Sequence, residues 1–214
     1  MQNDTYERIN NMRTILYLGS TSASRKSLLT MAGIPFTCLA IDVDETKCDW
    51  TLPLQQLVIS IAQYKMAHVQ LPQGDDGQEI YVLTADTLSQ DSRNVITGKP
   101  PSRQAAKEMI RAARGGMRTC TGFCLEKKEY RDNAWHTLQR IVQAVEAEYI
   151  FDVPESWIAW YLDNSRGLGC SGAIAIEDQG SLFLQRVQGS YTTIVGLPLF
   201  EVRLALESLG FFNS

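Results

Sequence analysis

The segment Gly19–Lys26 (GSTSASRK) combines small hydroxyl residues with two cations, between a predicted strand and a predicted helix. Free backbone N–H groups and positive charge at the start of a helix suit an anionic ligand such as a phosphate. The segment lacks the GxxxxGK[ST] pattern of a Walker loop. The alternative interpretation is a serine-rich helix N-cap in which Arg25 and Lys26 are solvated.

Two positions offer carboxylates for chemistry on such a ligand. The acidic run Asp42–Glu45 (DVDE) follows a predicted strand and suits Mg²⁺, which binds one or two carboxylates together with water and substrate phosphates. Asp86 directly follows the apolar segment Tyr81–Ala85, and α/β sheets place ligand sites beyond the carboxyl ends of their strands. Asp86 is therefore a candidate metal ligand or general base. The alternatives are a solvated loop for the acidic run and an Asx-turn or cap for Asp86.

Two lysines are candidates for binding phosphate. The apolar residues of the predicted helix Leu52–Leu71 form one stripe, and Lys65 continues that stripe on the face that should be buried. Its ammonium either enters a cleft, where it binds phosphate as a point charge, or snorkels out of the core. Lys99 lies in the tripeptide Gly98–Pro100 before a predicted helix start, which also favours anions. The alternative for Lys99 is an ordinary loop lysine.

Strands and helices are mixed along the chain. Strands are predicted over 14–18, 36–41, 80–85, 173–176 and 181–187, with a hairpin of 117–130 and 138–150 whose tip lies within 127–133. Helices are predicted from the polar loop to residue 31, over 52–71, from 102 to about 115, over 154–162 and after 198. Hairpins among the crossovers indicate a mixed sheet with helices on its faces, not a purely parallel sheet.

The composition excludes several classes of protein. A chain of 214 residues that is 44% apolar and 21% charged is typical of a globular protein with its own core. The net charge of −4 argues against a protein that coats nucleic acid. No apolar run approaches the roughly 18 residues needed to cross a bilayer. The five cysteines lack a paired CxxC spacing, which indicates reduced thiols in a cytoplasm, and residues 1–13 read as a polar arm without a secretory signal.

The candidate residues share one chemistry. The two histidines, His68 and His136, lack any nucleophile signature, so a Ser-His-Asp arrangement is not indicated. Cations, carboxylates and a hydroxyl-rich loop are what metal-assisted attack of water on a polyphosphate requires. The cations offset phosphate charge, Mg²⁺ polarises the phosphate, and a carboxylate orients or deprotonates the water.

The sequence resembles the Maf-like nucleotide pyrophosphatases from about residue 14 to residue 210. The similar segments are collinear: LGSTSASRKSLL (18–29), VDE (43–45), ADT (85–87), GKP (98–100), SGAIAIEDQG (171–180) and GSYTTIVGLPL (189–199). The pair ADT and GKP and the segment GSYTTIVGLPL are the most specific parts.

The resemblance implies a cytosolic enzyme that hydrolyses nucleoside triphosphates to the monophosphate and diphosphate, with Mg²⁺ or Mn²⁺ as cofactor. It implies an elongated α/β fold in which two lobes surround a central cleft in a mixed β-sheet. Residues 14–214 would form this single domain. The family is often dimeric, and neither nucleic acid nor membrane is an expected partner.

The resemblance also implies roles for individual residues. Asp86 matches the catalytic acidic residue, and Glu45 matches its acidic partner at the metal. Substrate binding is implied for five residues: Ser20, Ser22, Arg25, Lys65 and Lys99.

Departures from the family pattern concern the choice of base. The family's SxSPRR loop is Ser20–Arg25 here, with Ser24 in place of the first arginine, a position associated with substrate choice. Glu177 replaces the usual glutamine, and Cys170 replaces a family lysine. Cys170 and Glu177 resemble the branch that prefers 7-methyl-GTP, whereas Thr87 resembles the dTTP/UTP branch. We therefore expect Ser24, Thr87 and Glu177 to shape the base pocket.

The chemistry of Glu177 favours a guanine-type base. An ionised carboxylate only accepts hydrogen bonds, and the edge of guanine offers two adjacent donors for a bidentate contact. Uracil and thymine present one donor between two acceptors. Each buried mismatch costs about 1–3 kcal/mol. If Glu177 reaches the base, we expect a guanine-type or modified base such as 7-methylguanine, with dTTP and UTP as the alternative.

A competing hypothesis is a non-catalytic nucleotide-binding or division-regulating module that kept the fold. The retained Asp86, Lys65 and Lys99 favour the enzyme, because a simple binder does not need a carboxylate facing an anionic ligand. A protein-interaction scaffold would instead require an exposed apolar surface.

Overall fold

The computed structural model describes residues 15–41 and 43–213. The predicted polar arm of residues 1–13 and Asp42 of the acidic run lie outside the described residues. The described chain has the expected α/β fold, in which helices flank one mixed β-sheet. Within this part of the chain, no helix combines the length and the hydropathy needed to span a membrane.

The described residues contain seven strands: β1 (Ile15–Gly19), β2 (Thr37–Leu39), β3 (Glu79–Asp91), β4 (Ile96–Thr97), β5 (Met117–Arg131), β6 (Ala134–Phe151) and β7 (Leu184–Gly189). They also contain six α-helices: α1 (Ala23–Met31), α2 (Leu54–Ala67), α3 (Arg103–Ala113), α4 (Ile158–Asn164), α5 (Tyr191–Val195) and α6 (Leu199–Ser208). The predicted helices are therefore present, with bounds that differ by a few residues.

The sheet has the strand order β2–β1–β3–β5–β6–β7, and β4 pairs with the end of β3. β1 is parallel to β2 and β3, whereas β5 is antiparallel to both β3 and β6. The β5–β6 hairpin turns at Asp132 and Asn133, whose φ values of 51° and 60° suit a tight two-residue turn. The predicted mixed sheet and the position of the hairpin tip are confirmed.

Two of the four buried apolar clusters among the described residues, the largest two, are called here the first and second cores. The first core contains Leu16, Leu83 and Leu206, from β1, β3 and α6. The second contains Phe151 and Tyr161, from β6 and α4. A cleft is lined by side chains from several distant segments of the chain, among them Ile174 and Ile194 of the second core.

Helix α2 lies against the sheet along one face. Leu57, Val58 and Ile61 on this face are fully buried, and Lys65 continues the face one turn further while only 9% exposed. These residues recur every three or four positions, so the predicted apolar stripe is confirmed. The packing of α2 therefore carries the Lys65 side chain into the space beneath the cleft.

Strand β3 is longer than the sequence predicted. β1 stops pairing at Gly19, opposite Thr84, but β5 continues to pair with β3, with Asp86 opposite Gly122 and the ladder reaching Asp91. Asp86 therefore lies within a strand and not in the turn after one. It still lies beyond the carboxyl end of the parallel β1–β3 pair, because β1 has already ended there.

The strand predicted over 173–176 is wrong. Gly172 and Ala173 have φ values of 65° and 61°, and a left-handed backbone does not fit a strand ladder. The apolar side chains of this segment are instead buried in the second core after a 3₁₀ turn. The strand predicted over 181–187 begins only at Leu184, because a 3₁₀ turn precedes it.

The contact between α2 and β5 yields a stability prediction. A Cβ at Gly122 would lie 2.7 Å from the backbone carbonyl atoms of Val58. Backbone atoms cannot move aside as a flexible side chain can, so we expect Gly122→Ala to lower the free energy of unfolding by about 1–3 kcal/mol. Chemical denaturation measures the change. Gly169→Ala is the control, because no heavy atom lies within 4 Å of its Cβ position; equal losses in both variants would contradict the clash.

Candidate active site

A cavity of about 910 Å³ occupies the cleft. Its lining includes every residue for which the resemblance implies a role or a place in the base pocket: Ser20, Ser22, Ser24, Arg25, Glu45, Lys65, Asp86, Thr87, Lys99 and Glu177. These residues are dispersed over more than 150 positions of the chain. The fold brings them together in one groove.

The loop before α1 is both a helix cap and a wall of the groove. The Ser22 hydroxyl caps α1 by accepting a hydrogen bond from the Arg25 backbone N–H at 3.4 Å. The Ser22 backbone N–H in turn donates to the Ser20 hydroxyl at 3.2 Å. The two interpretations of this loop, a serine cap and a lining of an anion site, are therefore compatible.

Arg25 does not extend into solvent but lies buried, with 8% of its surface exposed. Its guanidinium donates to the Gly196 carbonyl oxygen at 2.9 Å, to Ser20 Oγ at 3.2 Å and to Thr87 Oγ1 at 3.0 Å. Burial lowers the pKa of Arg25, and the carboxylates of Asp86 and Glu45 oppose this shift. Among the described residues, Arg25 forms no ion pair, so its positive charge is available to an anion in the groove.

Thr87 contacts Arg25, although the sequence placed it in the base pocket. Thr87 Oγ1 accepts the hydrogen bond from Arg25 and lies 2.9 Å from Thr121 Oγ1. Thr121 donates its own hydroxyl proton to the Thr193 carbonyl oxygen, so Thr87 is the donor to Thr121, and the Gly196 carbonyl oxygen at 3.4 Å is a second acceptor for the Thr87 hydroxyl. These contacts fix the Thr87 hydroxyl and, through it, one end of the Arg25 guanidinium.

Lys65 lies between two carboxylates. Its Nζ is 2.6 Å from Asp86 Oδ1 and 2.7 Å from Glu45 Oε1. The side chains of Lys65 and Asp86 are both nearly buried, whereas that of Glu45 is 41% exposed. The snorkelling alternative for Lys65 is thereby excluded. Asp86 Oδ2 is buried and has no hydrogen-bond partner among the described residues.

The acidic run before α2 contributes a single described carboxylate to the groove. Asp44 Oδ1 accepts hydrogen bonds from the backbone N–H and the hydroxyl of Thr46, at 3.1 and 2.5 Å, and so caps a 3₁₀ turn. Glu45 follows it and lines the groove. Among the described residues of the run, Glu45 is therefore the one carboxylate left as a candidate metal ligand, because Asp44 forms a local cap.

The groove fits a divalent cation. No group of three or more His, Cys, Asp or Glu side chains within the described ranges is arranged as a metal site. Mg²⁺, however, binds one or two carboxylates and completes its shell with water and substrate phosphates. Glu45 and Asp86 supply two carboxylates that share one lysine, and the partnerless Asp86 Oδ2 is an oxygen ligand of the required kind.

Lys99 is placed by contacts between two loops. The Gly172 backbone N–H donates to the Gly98 carbonyl oxygen at 2.9 Å, and Ser171 Oγ donates to the Thr97 carbonyl oxygen at 2.8 Å. Lys99 is exposed at the groove, and no ion pair is formed by it within the described residues. Its ammonium is therefore a second cation available to an anion.

Glu177 lies at another part of the groove wall, together with Ser24. Ser24 Oγ donates to Glu177 Oε1 at 3.1 Å, and Arg166 Nη2 donates to the same oxygen at 3.2 Å. Arg166 Nη2 also donates to Asp178 Oδ2 at 3.1 Å. Sequence reasoning missed Arg166, because a single arginine in a polar segment carries no signal of this contact.

The sequence also missed a buried hydroxyl chain in the groove lining. Ser89 Oγ lies 2.8 Å from Thr119 Oγ1, which lies 3.1 Å from the Tyr149 hydroxyl. Burial raises the pKa of Tyr149 to about 12, and burial raises the pKa of the neighbouring Cys170 to about 11. Both side chains are therefore neutral at pH 7. The alternation of side chains along β5 and β6 could have indicated that Thr119 and Tyr149 face inward. It could not have indicated which cavity they line.

The chain was compared with known proteins. The family model described as "Maf-like protein" matches residues 15–209. A dTTP/UTP pyrophosphatase of Syntrophus aciditrophicus is 31% identical over 199 residues, which are 91% of this chain and 90% of that protein. A dTTP/UTP pyrophosphatase of Caldicellulosiruptor bescii is 30% identical over 199 residues, or 92% and 95% of the two chains. One of Bacillus cereus is 32% identical over 192 residues, or 88% and 86%.

The ion pair between Lys65 and Asp86 can be tested by a double-mutant cycle. We expect Lys65→Met to lower the free energy of unfolding by about 3–5 kcal/mol, because it leaves a buried carboxylate without its cation. Asp86→Asn should cost less, since Glu45 still neutralises Lys65. The double variant should be more stable than the sum of the single losses implies. Losses that add within about 0.5 kcal/mol in chemical denaturation would contradict the pair.

The raised pKa of Cys170 predicts slow alkylation. The thiolate is the reactive form, so modification of Cys170 by iodoacetamide should be slow at pH 7. The rate should keep rising above pH 9, because the pKa is about 11. Peptide mass spectrometry over a pH series measures this rate, with the exposed Cys38 as internal control for reagent activity. A plateau for Cys170 near the ordinary thiol pKa of about 8.5 would exclude the effect of burial.

Proposed function

The chain belongs to the Maf-like protein family, and on this premise we propose that it is a nucleoside triphosphate pyrophosphatase, which releases a nucleoside monophosphate and diphosphate. The relatives described above are named as dTTP/UTP pyrophosphatases. The observation that carries the proposal is the meeting of Arg25, Lys65 and Asp86 in a single groove.

The charges of the groove support binding of a triphosphate. The cations Arg25, Lys65 and Lys99 face the carboxylates Glu45 and Asp86, which leaves one net positive charge among these five side chains. Arg25 offers a planar fork of donors, whereas the lysines act as point charges. The hydroxyl groups of Ser20 and Ser22, which accept hydrogen bonds within the loop before α1, are expected to add O–H donors for the phosphate oxygens.

Asp86 is the proposed general base. Its Oδ1 is held by Lys65 at 2.6 Å, so the carboxylate has a fixed orientation. Its Oδ2 is buried without a hydrogen-bond partner among the described residues, so it can accept a proton or a hydrogen bond from water. The water oxygen would attack the α-phosphorus, the bond to the α–β bridging oxygen would break, and diphosphate would leave with that oxygen.

Glu45 and Asp86 are the proposed ligands of Mg²⁺ or Mn²⁺. When bound, such an ion polarises the phosphate oxygens and offsets charge that develops on them. The support for this assignment is the carboxylate pair and the partnerless Asp86 oxygen in a groove that has too little positive charge of its own for a triphosphate. Lys65 would hold the two carboxylates near each other and oriented before the ion arrives.

The proposed base follows from the chemistry of the groove lining, and its alternative follows from the relatives. A guanine-type base, such as 7-methylguanine, is favoured by the acceptor character of Glu177 in the groove lining. The names of the relatives and the residue Thr87 favour dTTP and UTP as the alternative. Ser24 belongs to this end of the groove, because it donates a hydrogen bond to Glu177.

We also propose that residues 14–214 act as one domain in a cytoplasm. Support for a single domain comes from the one sheet, because strands that carry residues of the first core and of the second core belong to it. Support for a reducing compartment comes from the cysteines, all five of which are free thiols.

Release of diphosphate tests the catalytic role of Asp86. Asp86→Asn keeps the size of the side chain but removes the base, so we expect turnover to fall by about 10²–10⁴-fold while the fold is retained. A coupled diphosphate assay with a panel of ordinary and modified triphosphates measures turnover, and circular dichroism verifies the fold.

The matched control is Asp91→Asn, which makes the same change in a buried aspartate of the same strand. Asp91 pairs with Arg93 and does not line the groove, so turnover should be unchanged. Unchanged turnover in Asp86→Asn would reject its role as base. A wild-type protein that nucleotides stabilise against heat but that releases no diphosphate would support the non-catalytic binding module.

A further inference from the structure

The carboxylate of Glu177 is already engaged within the protein. Its Oε1 accepts from both Ser24 Oγ and Arg166 Nη2, at 3.1 and 3.2 Å. A carboxylate oxygen has about two acceptor sites, so these two donors saturate it. Oε2 accepts no hydrogen bond from the described residues. Glu177 therefore has one oxygen, not two, for an incoming base.

Arg166 has donors left over beside that oxygen. The guanidinium has five N–H groups, and the described residues accept hydrogen bonds only from those on Nη2. Its side chain is 42% exposed, and both Arg166 and Glu177 line the groove. The groove wall therefore presents a single acceptor next to a group of donors.

Asp178 restrains the orientation of Arg166. Nη2 of Arg166 is shared between Glu177 and Asp178, which are consecutive in the chain. Asp178 has a φ of 50°, a left-handed conformation that aspartate tolerates better than most residues. Because one nitrogen is held by two carboxylates, the guanidinium is restrained, while its Nε and Nη1 donors have no acceptor among the described residues.

An acceptor beside a donor complements one kind of base edge. Uracil, thymine, guanine and hypoxanthine each carry a ring N–H next to a carbonyl, which is a lactam edge. The N–H would donate to Glu177 Oε2, and the carbonyl would accept from Arg166. Cytosine and adenine instead carry a ring-nitrogen acceptor next to an amino group. Their lone pair would face the carboxylate, and their amino group would face the guanidinium, so both contacts would be lost.

On the pyrophosphatase function proposed above, we propose that Arg166 and Glu177 together recognise a lactam edge, so that Arg166 is a specificity-determining residue. The substrates are then triphosphates of lactam bases, purine or pyrimidine. This assignment differs from reading of guanine by Glu177 alone, which needs both carboxylate oxygens for two donors. The exocyclic amino group of guanine has no required partner in the lactam contact.

The test compares bases that differ only in this edge. The ratios of kcat/KM for ITP over ATP and for UTP over CTP should each be about 10- to 100-fold, since a site built for a hydrogen bond rejects an analogue that cannot make it. GTP should equal ITP within about threefold, because the amino group is not read. A GTP value far above that of ITP would overturn the lactam assignment in favour of Glu177 alone.

Two variants separate the roles of the pair. Arg166→Gln should lower kcat/KM for ITP and UTP about tenfold and leave ATP and CTP nearly unchanged, because only the lactam carbonyl loses its donor. Glu177→Gln should bring UTP and CTP closer together, because an amide can accept from one and donate to the other. An equal loss for every base in Arg166→Gln would overturn the specificity role.

Arg203→Gln is the matched control for Arg166. Arg203 is 45% exposed, pairs with one carboxylate, Glu207, and does not line the groove. Removal of the Arg203 guanidinium should leave the kcat/KM ratios of ITP over ATP and of UTP over CTP unchanged. If wild-type protein hydrolyses all bases alike, the inference fails while the proposed function stands. If no triphosphate is hydrolysed, the function fails, and calorimetric binding of α,β-methylene analogues of the same bases still decides the inference by their affinity ratios.

Discussion

The ammonium group of Lys65 holds the carboxylates of two residues that line the cleft. Lys65 Nζ lies within 2.7 Å of carboxylate oxygens of both Glu45 and Asp86. A buried ion pair contributes little net stability, because the cost of removing its charges from water offsets their attraction, whereas loss of one partner is costly. Lys65 reaches this position because α2 buries its apolar face against the sheet. Packing of the helix on the sheet, and not a local loop motif, therefore sets the electrostatic environment of Asp86.

β1 and β3 differ in length, and this difference leaves space beside β3 at Asp86 and Thr87. β1 ends at Gly19, whereas β3 continues beside β5 as far as Asp91. Over residues 85–88, β3 thus has no strand on its β1 side, because β4 pairs there only with Ser89 and Gln90, and the guanidinium of Arg25 contacts this stretch through Thr87. The candidate site is consequently built on a stretch of strand that pairs with β5 on one side and is open on the other, an arrangement that holds side chains more precisely than a loop does.

The parts of the molecule that the sequence predicts are those that local patterns determine. The stripe of α2 predicts burial of Lys65, and two extended segments with a charged run between them predict a hairpin whose tip lies within 127–133. The segment after Gly172 was mistaken for a strand, since its apolar residues have no period that distinguishes burial in a core from a ladder. Arg166 was missed for a related reason: its contact with Glu177 depends on two 3₁₀ turns whose relative position no local pattern encodes.

Two carboxylates of the groove lining are each paired with a cation. Asp86 pairs with Lys65, and Glu177 pairs with Arg166. An unpaired carboxylate in a partly dry groove would repel an approaching polyanion, since Coulomb interactions strengthen as the dielectric falls. Pairing cancels this repulsion and leaves the carboxylate oxygens able to accept hydrogen bonds. On the proposed function, the groove would therefore use acidic side chains for proton acceptance and base contact, while Arg25 and the exposed ammonium of Lys99 would attract the phosphates.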